Sequence, residues 1–442
     1  MKNKNKFPAP WHFCACAFML PFAMSHAEGQ ADTGGFVEGS HLNLMSRNYY
    51  WHQTGDAGKQ KDWTQGEMLD FTSGFTQGVI GFGVDAFAYG AFKLDGGSGR
   101  VGSMSLPFRD DGDPADSYGK AGGSVKLRIS NTTLRYGDLQ PQVPVFATGN
   151  YYQLNQTATG VMLDSAELPG LSLGAGHFTS GTGYISTNHD GELGLAYAGK
   201  STSQVDYAGG AYSFTDHLSA MFYAGRFEDL MSQYYSNVNY VMPLSDTQAF
   251  TFDFNIYRSV DSGKAEAGDI SVTAASLSAA FATGPHKFTV AVQKNDGDQP
   301  QDYAAIGSTR PGVAAGVYSG GIFLANAMEI SDFNAPNEHS LQVRYDLDMA
   351  SFGLPGLKLT AKHVRGYDID GTHLADDSAY FGLYGKSEKE HETDLITEYV
   401  VQSGPAKNLS AKLFQSWHSG ASSTGGSITQ TRFSLSYPLE IF

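Results

Sequence analysis

The chain reads as an all-β protein, a transmembrane antiparallel β-barrel of about 18 strands with one long connection folded inward. Three observations point there. Apolar and polar residues alternate in run after run, up to the end of the chain. The connections between these runs are of two kinds, short turns and long polar loops, as in barrels built for an outer membrane. Beyond the first 27 residues no stretch is apolar for long enough to cross a bilayer as a helix, although aromatics make up 13% and charged residues only 17%.

Residues 1–27 read as an export signal, which leaves 28–442 as one barrel domain. Lys2, Lys4 and Lys6 form the basic start, Trp11 to Ala23 the apolar stretch, and Ser25-His26-Ala27 a small-x-small cleavage site. A membrane anchor would need about 20 apolar residues; this run is shorter and is broken by Pro21. Cys14 and Cys16 both fall inside the signal, in a poor lipidation box. The mature chain is therefore expected to hold no cysteine, which excludes disulfides, thiolate chemistry and cysteine–zinc sites. The formal charge of −16 becomes −19 once Lys2, Lys4 and Lys6 leave, because residues 1–27 contain no acid. Such a charge argues against nucleic acid as a partner.

Taken in order, the strand-like runs begin with His41 to Arg47, where Leu42 and Leu44 share one face and Asn43 and Arg47 the other. Val125 to Tyr136 reads as one run, with Lys126 and Arg128 on the same face. Phe250 to Ile256 alternates most cleanly, and Leu341 to Leu347 repeats it. Leu395 to Val401, Leu409 to Trp417 and Thr431 to Tyr437 follow. Each is close to, or shorter than, the roughly 9–11 residues that a tilted membrane strand needs.

Short connections are expected where Pro or Gly meets polar residues: Leu168 to Leu171, Phe214 to His217, Met242 to Ser245, Gly284 to His286, Leu354 to Leu357 and Gly404 to Ala406. Long Gly-, Asp- and Ser-rich loops are expected near 95–120, 180–190, 295–320 and 366–392. The 415 residues after the signal, at about 23 per strand and loop, give roughly 18 strands. No fixed repeat suggests a propeller or β-helix.

Tyr136 to Leu163 is the exceptional connection. Pro141 and Pro144 cannot donate to a sheet ladder, and Gly149 adds a further break. Long connections of this kind are usually functional or disordered. This one carries Val145, Phe146, Tyr151, Tyr152 and Leu154, too apolar for a solvated loop. In a barrel the nearest wall to pack against is that of the lumen.

Strand parity also sorts the charged residues. In Thr431 to Tyr437 the apolar face is Phe433, Leu435 and Tyr437, so Arg432 points inward with Ser434 and Ser436. The same parity turns Lys412, Phe414, Glu398, Lys358, Lys362 and Arg344 inward. A single lumen charge more often serves only to solvate the interior. A wall of them from successive strands is what sets pore selectivity.

The segments YGDLQPQVPVF and NQTATG resemble the constriction loop of the OprD family of substrate-specific outer-membrane porins. The resemblance extends through FVEGSHLNLMSRNYYW, DWTQG, SGFTQGVIGFGVDAF, FDFNIYR, GKAEAGDIS, GDQPQDY, IFLAN, SDFNAP, DIDGT and YVVQSGPAKNLS, almost the whole mature chain. It is close to the members for basic amino acids and carbapenems. It implies 18 strands, and a ladder of inward Arg and Lys facing a short acidic and tyrosine patch. The ladder would guide solute carboxylates, and the patch would meet amino groups. Arg432 and Lys412 match the ladder, to which parity adds Lys362, Lys358 and Arg344; Tyr197, Tyr303 and Asp332 match the patch. Pro141, Pro144, Phe146, Tyr151, Tyr152 and Leu154 belong to the matching loop. The chain departs at Phe414, Glu398, Gln53 and Gln60, where the family looks basic. Tyr152 and Asn155 replace an expected Arg and Pro, Ile330 an expected Tyr, and Gly320 an expected Asp.

Catalysis is not expected. The family has been grouped at times with serine peptidases, and His177 and Asp229 match that proposal, but Gly321 stands at the serine position. A triad needs a hydroxyl within reach of the imidazole. Asp110, Asp111, Asp113 and Asp116 lack calcium-loop spacing, and His189, His286 and His391 lack metal spacing. No cofactor or metal is expected. A TonB-type transporter would need a plug domain of over a hundred residues, whereas the first strand motif starts near Phe36. The expected place is the bacterial outer membrane. The expected partners are small solutes, membrane lipid and lipopolysaccharide, and the barrel assembly machinery. A homotrimer is the assembly considered.

Overall fold

The computed structural model describes residues 34–309 and 319–442; the expected export signal lies outside the described residues. Eighteen strands form one antiparallel sheet. The first, His41–Gly55, pairs on one side with Gln60–Thr72 and on the other with the last, Ile428–Glu440, which closes the sheet into a barrel. Closure leaves no edge strand, so every backbone donor and acceptor within a bilayer finds its partner in the chain. Strand lengths run from 8 residues in Thr132–Leu139 to 16 in Gly81–Gly96, so several project well beyond a membrane.

Connections at the end that holds His41 and Glu440 are short. Several are two-residue turns, at Ser130 and Asn131, Pro169 and Gly170, Asp216 and His217, Asp246 and Thr247, and Gly284 and Pro285. The long connections, 97–116, 140–156, 183–204, 297–338 and 371–385, leave the opposite end, the last of them shorter than the expected 366–392. The two-sided layout expected from the sequence is therefore present.

Many strand boundaries differ from the sequence expectation by a few residues, and four differences have a physical reason. Val125 to Tyr136 is a hairpin, Ser117–Ile129 and Thr132–Leu139, turning at Ser130 with φ of 52°. A serine in the left-handed region leaves no Pro or Gly mark, so the turn is silent in the sequence. The long inward loop is 140–156 rather than Tyr136 to Leu163, because the flanking strands pair on to Leu139 and Ala158. Met242 to Ser245 continues the strand Met231–Ser245, with Pro243 near its end, where a missing N–H costs little. The run expected to start at Leu395 begins at Lys386. There both faces are polar near the rim, so alternation cannot be seen.

The outer face is apolar. Val290, Val292, Leu341 and Val343 are each more than half exposed on the isolated barrel. A band of this kind is a liability in water and a lipid contact in a membrane. Near the short-turn end, aromatic pairs such as Phe288 with Tyr345 (5.1 Å between ring centres) and Phe250 with Phe281 (4.8 Å) belong to the girdle found at membrane–water interfaces. Arg432 is buried on the inner side, while Leu413 and Trp417 on the neighbouring strand are exposed. The parity of the last strands is as expected.

This register has a direct test. With cysteine placed singly at Ser434 and Leu435 in the mature chain refolded into liposomes, a charged water-soluble thiol reagent should label Ser434→Cys and leave Leu435→Cys unlabelled. The opposite result would mean the strand is slipped by one residue.

Candidate functional site in the barrel lumen

The loop 140–156 crosses the lumen. Its outward leg folds as a small hairpin, Gln142–Val143 against Phe146–Ala147, tied where Thr148 N–H donates to the Pro141 carbonyl (2.9 Å). Phe146 packs on Phe178 (5.1 Å) and Phe227 (6.4 Å) from two wall strands. Tyr257 donates its hydroxyl to the Pro144 carbonyl (3.0 Å) from a third. On the far side Tyr152 meets Trp51 (5.8 Å) and Tyr184 (4.6 Å). Arg47 donates to the Tyr152 carbonyl (2.6 Å), and Gln153 donates back to the Arg47 carbonyl (3.0 Å). Leu154 is fully buried against Met68, Phe87 and Tyr89. The apolar residues that looked out of place in a loop are what weld it across the barrel. Arg47, placed on the polar face by parity, is the clamp that sequence reasoning did not assign.

A second inward segment comes from 297–338. Its strand Ala304–Ser308 pairs with Glu192–Leu195 inside the lumen. Near it Tyr197, Tyr303 and Asp332 meet at one buried point. Tyr197 and Tyr303 each donate a hydroxyl to Asp332 Oδ2, at 3.2 and 3.1 Å, with their rings edge to face at 5.7 Å. Asp302, also buried, accepts N–H groups of Tyr197, Ala198 and Tyr303 and the Tyr380 hydroxyl. Burial pushes its carboxyl up to about 6 against the pull of those donors. Asp302 was not singled out from the sequence, and it is what positions the Tyr197 and Tyr303 backbone.

The basic groups expected in the ladder each meet a carboxylate or the rim. Lys412 pairs with Glu398 (3.1 Å), whose strand neighbours in register are Lys412 and Lys358. Lys358 is exposed near the short-turn end of its strand. Arg344 lies against Asp346 (2.7 Å). Lys362 is buried between Asp394 (3.3 Å) and Glu329 (3.5 Å). Arg432 pairs with Glu329, and its guanidinium lies over the rings of Phe414 (4.7 Å) and Trp51 (5.5 Å). The wall is thus a row of neutralised pairs rather than a field of one sign.

The acids responsible were partly missed. On the strand Lys386–Val400, the buried Glu390, Glu392 and Asp394 occur at every second residue, in step with Glu398. Glu392 accepts the backbone N–H groups of Glu329, Ile330 and Ser331 at 2.8–3.0 Å, docking the inward loop onto the wall. Glu390 takes the Ser331 hydroxyl (2.9 Å) and pairs with His418 (2.7 Å). The spacing in Glu-Lys-Glu-His-Glu-Thr-Asp was the available signal. Glu329 lies in a loop without period, so no pattern marked it.

The peptidase-like residues are not assembled. His177 bonds Asp206 (2.7 Å) on the exposed side, while Asp229 bonds Lys264 (2.6 Å). Asp116 pairs with Lys93 and Arg109. No group of three or more metal-ligating side chains occurs among the described residues.

A family profile for outer membrane porins of the OprD family matches residues 34–441. The chain belongs to the OprD family. It is 49% identical over 427 residues to Porin D of Pseudomonas aeruginosa, covering 95% of this chain and 96% of that protein. The crystal structure of P. aeruginosa OprD matches with a TM-score of 0.82 at 46% identity, over 94% of this chain and 99% of that one. P. aeruginosa OpdK, solved with vanillate, matches with a TM-score of 0.80 at 30% identity, over 92% and 100% of the two chains. The protein is a porin of the outer membrane, a channel for small solutes.

Within this OprD-family barrel, the residues that depart from the family pattern have local reasons. A side chain at Gly320 would bring its Cβ to 2.7 Å from Ala147 Cβ and 2.9 Å from the Thr148 carbonyl. Gly320 N–H instead donates to the Ala147 carbonyl (2.8 Å), and Tyr151 donates to the Gly320 carbonyl (3.0 Å). Glycine here lets the two inward loops touch through their backbones. Ile330 packs with Ala57 and Ile428. Gln53 accepts from Gln430 (2.9 Å), and Gln60 from the Trp51 indole (3.2 Å).

Removing residues 142–155 should raise single-channel conductance in planar bilayers, since this segment spans the lumen; an unchanged conductance in a folded variant would rule out a narrowing role. Glu392→Ala should lower the midpoint of urea unfolding followed by gel mobility. It strips three buried N–H groups of their acceptor, each worth about 1–3 kcal/mol.

Proposed function

We propose that this porin passes small water-soluble solutes bearing a carboxylate, above all amino acids and most readily basic ones, together with small peptides and carbapenem-type antibiotics of the same charge pattern. Movement is passive, down the gradient, and binding is weak enough to let the solute leave. The observation that carries this reading is the Tyr197–Tyr303–Asp332 cluster. Its Asp332 lies three residues after Glu329, which engages Lys362 and Arg432. Three residues of extended chain span at most about 11 Å. The backbone positions that carry an amino-group site and a carboxylate site therefore lie within about 11 Å of each other on one inward segment.

A second reading is a porin for aromatic or other small carboxylic acids. Arg432 flanked by Trp51 and Phe414 favours it, because a ring could stack where the carboxylate is held. A relative solved with vanillate is consistent with it. In neither case does the barrel catalyse a reaction, since Gly321 offers no nucleophile. Export through residues 1–27, insertion by the barrel assembly machinery, lipopolysaccharide around the outer rim and a homotrimeric assembly complete the proposal.

Two charges about 4 Å apart interact by ~1 kcal/mol in water and ~4 kcal/mol at an effective dielectric of 20. Arg432→Ala or Lys412→Ala should therefore cut uptake of carboxylate-bearing amino acids into liposomes about fivefold or more, with little change for neutral sugars. Asp332→Ala should hurt chiefly solutes with an amino group. Equal losses for charged and neutral solutes would leave a pore that sorts by size alone.

A further inference from the structure

We propose that Glu329 is a tethered counter-ion that occupies the carboxylate position of the pore, and that a permeating carboxylate passes by exchanging with it. This makes Glu329 a specificity-determining residue, and it rests on the reading that Arg432 and Lys362 carry solute carboxylates.

Glu329 belongs to an inward loop and not to the wall, and it is 2% exposed. Its carboxylate joins Lys362 on the strand Leu357–Asp370 to Arg432 on Ile428–Glu440. Two further strands separate these in the sheet, and the loop carboxylate bridges them. A free carboxylate in the lumen would present the same group to the same two cations.

The loop is held by its backbone and not by this side chain. The N–H of Glu329 and those of Ile330 and Ser331 bond Glu392, and the Ser331 hydroxyl bonds Glu390. The Glu329 carboxylate can leave while the segment stays docked. Arg432 keeps its orientation through Trp51 and Phe414, and Lys362 keeps Asp394. Of the other acids around this point, Glu390 pairs with His418, Glu338 interacts with Glu390, and Glu392 is held by the three backbone N–H groups.

Exchange suits the energetics of buried ions. Leaving one partner of a buried pair uncompensated is strongly unfavourable, whereas replacing one carboxylate by another keeps the compensation. A solute without a carboxylate has nothing to offer in exchange, so Glu329 excludes it from the ladder. Deletion of the charge should open the ladder to anions generally.

The test uses the full barrel in planar bilayers and liposomes. Glu329→Gln should move the reversal potential toward anions and raise glutamate uptake at least twofold, with glucose uptake unchanged. Equal rises for glutamate and glucose would show that Glu329 merely fills space, and would overturn the proposal. Glu329→Asp keeps the charge and should shift the potential less than Glu329→Gln; equal shifts overturn the charge argument. In an Arg432→Ala/Lys362→Ala background Glu329→Gln should add nothing, and a retained shift would place its action elsewhere. The underlying reading fails separately. Arg432→Ala without effect on glutamate uptake sinks both. Loss of glutamate uptake in Arg432→Ala beside wild-type selectivity in Glu329→Gln sinks the exchange alone.

Discussion

Hydrocarbon offers a peptide N–H no partner, and the rest of this structure follows from that constraint. Among the described residues no helix is long and apolar enough to cross a membrane, and strands meet the constraint by pairing one with the next until the last returns to the first. Here the pairing of Ile428–Glu440 with His41–Gly55 completes the ring. Closure fixes two faces with a period of two. The outer face must be apolar, and every residue between two lipid-facing ones must look into the lumen. Arg432 and Glu392 are inside because their neighbours are outside.

A closed ring of eighteen strands encloses more space than its inward side chains fill. The chain fills part of it with its own loops, which moves polar groups away from water and obliges them to find partners. The inward loops answer in two ways. Apolar groups such as Phe146 and Leu154 pack against aromatic wall residues. Backbone groups are met by single side chains placed for them, as Arg47 does for the carbonyl of Tyr152 and Glu392 for three successive N–H groups. The same economy applies to charge. Lys362, Lys412 and Arg432 are compensated within the chain, so a passing ion competes with internal partners rather than meeting a bare field.

The likeness to Porin D and to OprD covers nearly the whole chain, and several lumen positions are set by contacts of their own. Gly320 removes a side chain so that two loops meet at their backbones. Phe414 covers the guanidinium of Arg432 instead of adding a charge beside it. Glu398 stands between Lys412 and Lys358 in register. The ladder of the sheet runs backbone to backbone, so these side chains bear on the interior rather than on the barrel.

The sequence by itself determined the barrel, its approximate strand number, the two kinds of connection and the inward direction of Arg432, Lys412 and Lys362. All of these follow from local alternation and turn chemistry, which a one-dimensional pattern can carry. It also marked the loop around Pro141 and Phe146, since apolar residues in a long connection must be covered by something. It did not mark the turn at Ser130, where the backbone adopts a positive φ without glycine. Nor did it reveal that Glu390, Glu392 and Asp394 form a row, because Lys389 and His391 make the outer face polar there too. Only the tertiary structure decided which acid meets which base. Glu329 and Arg432 lie a hundred residues apart, on a loop and a strand, and their pairing depends on how a loop without periodicity folds back into the ring. Pairing of that kind is set by the shape of the enclosed space, and no local pattern contains it.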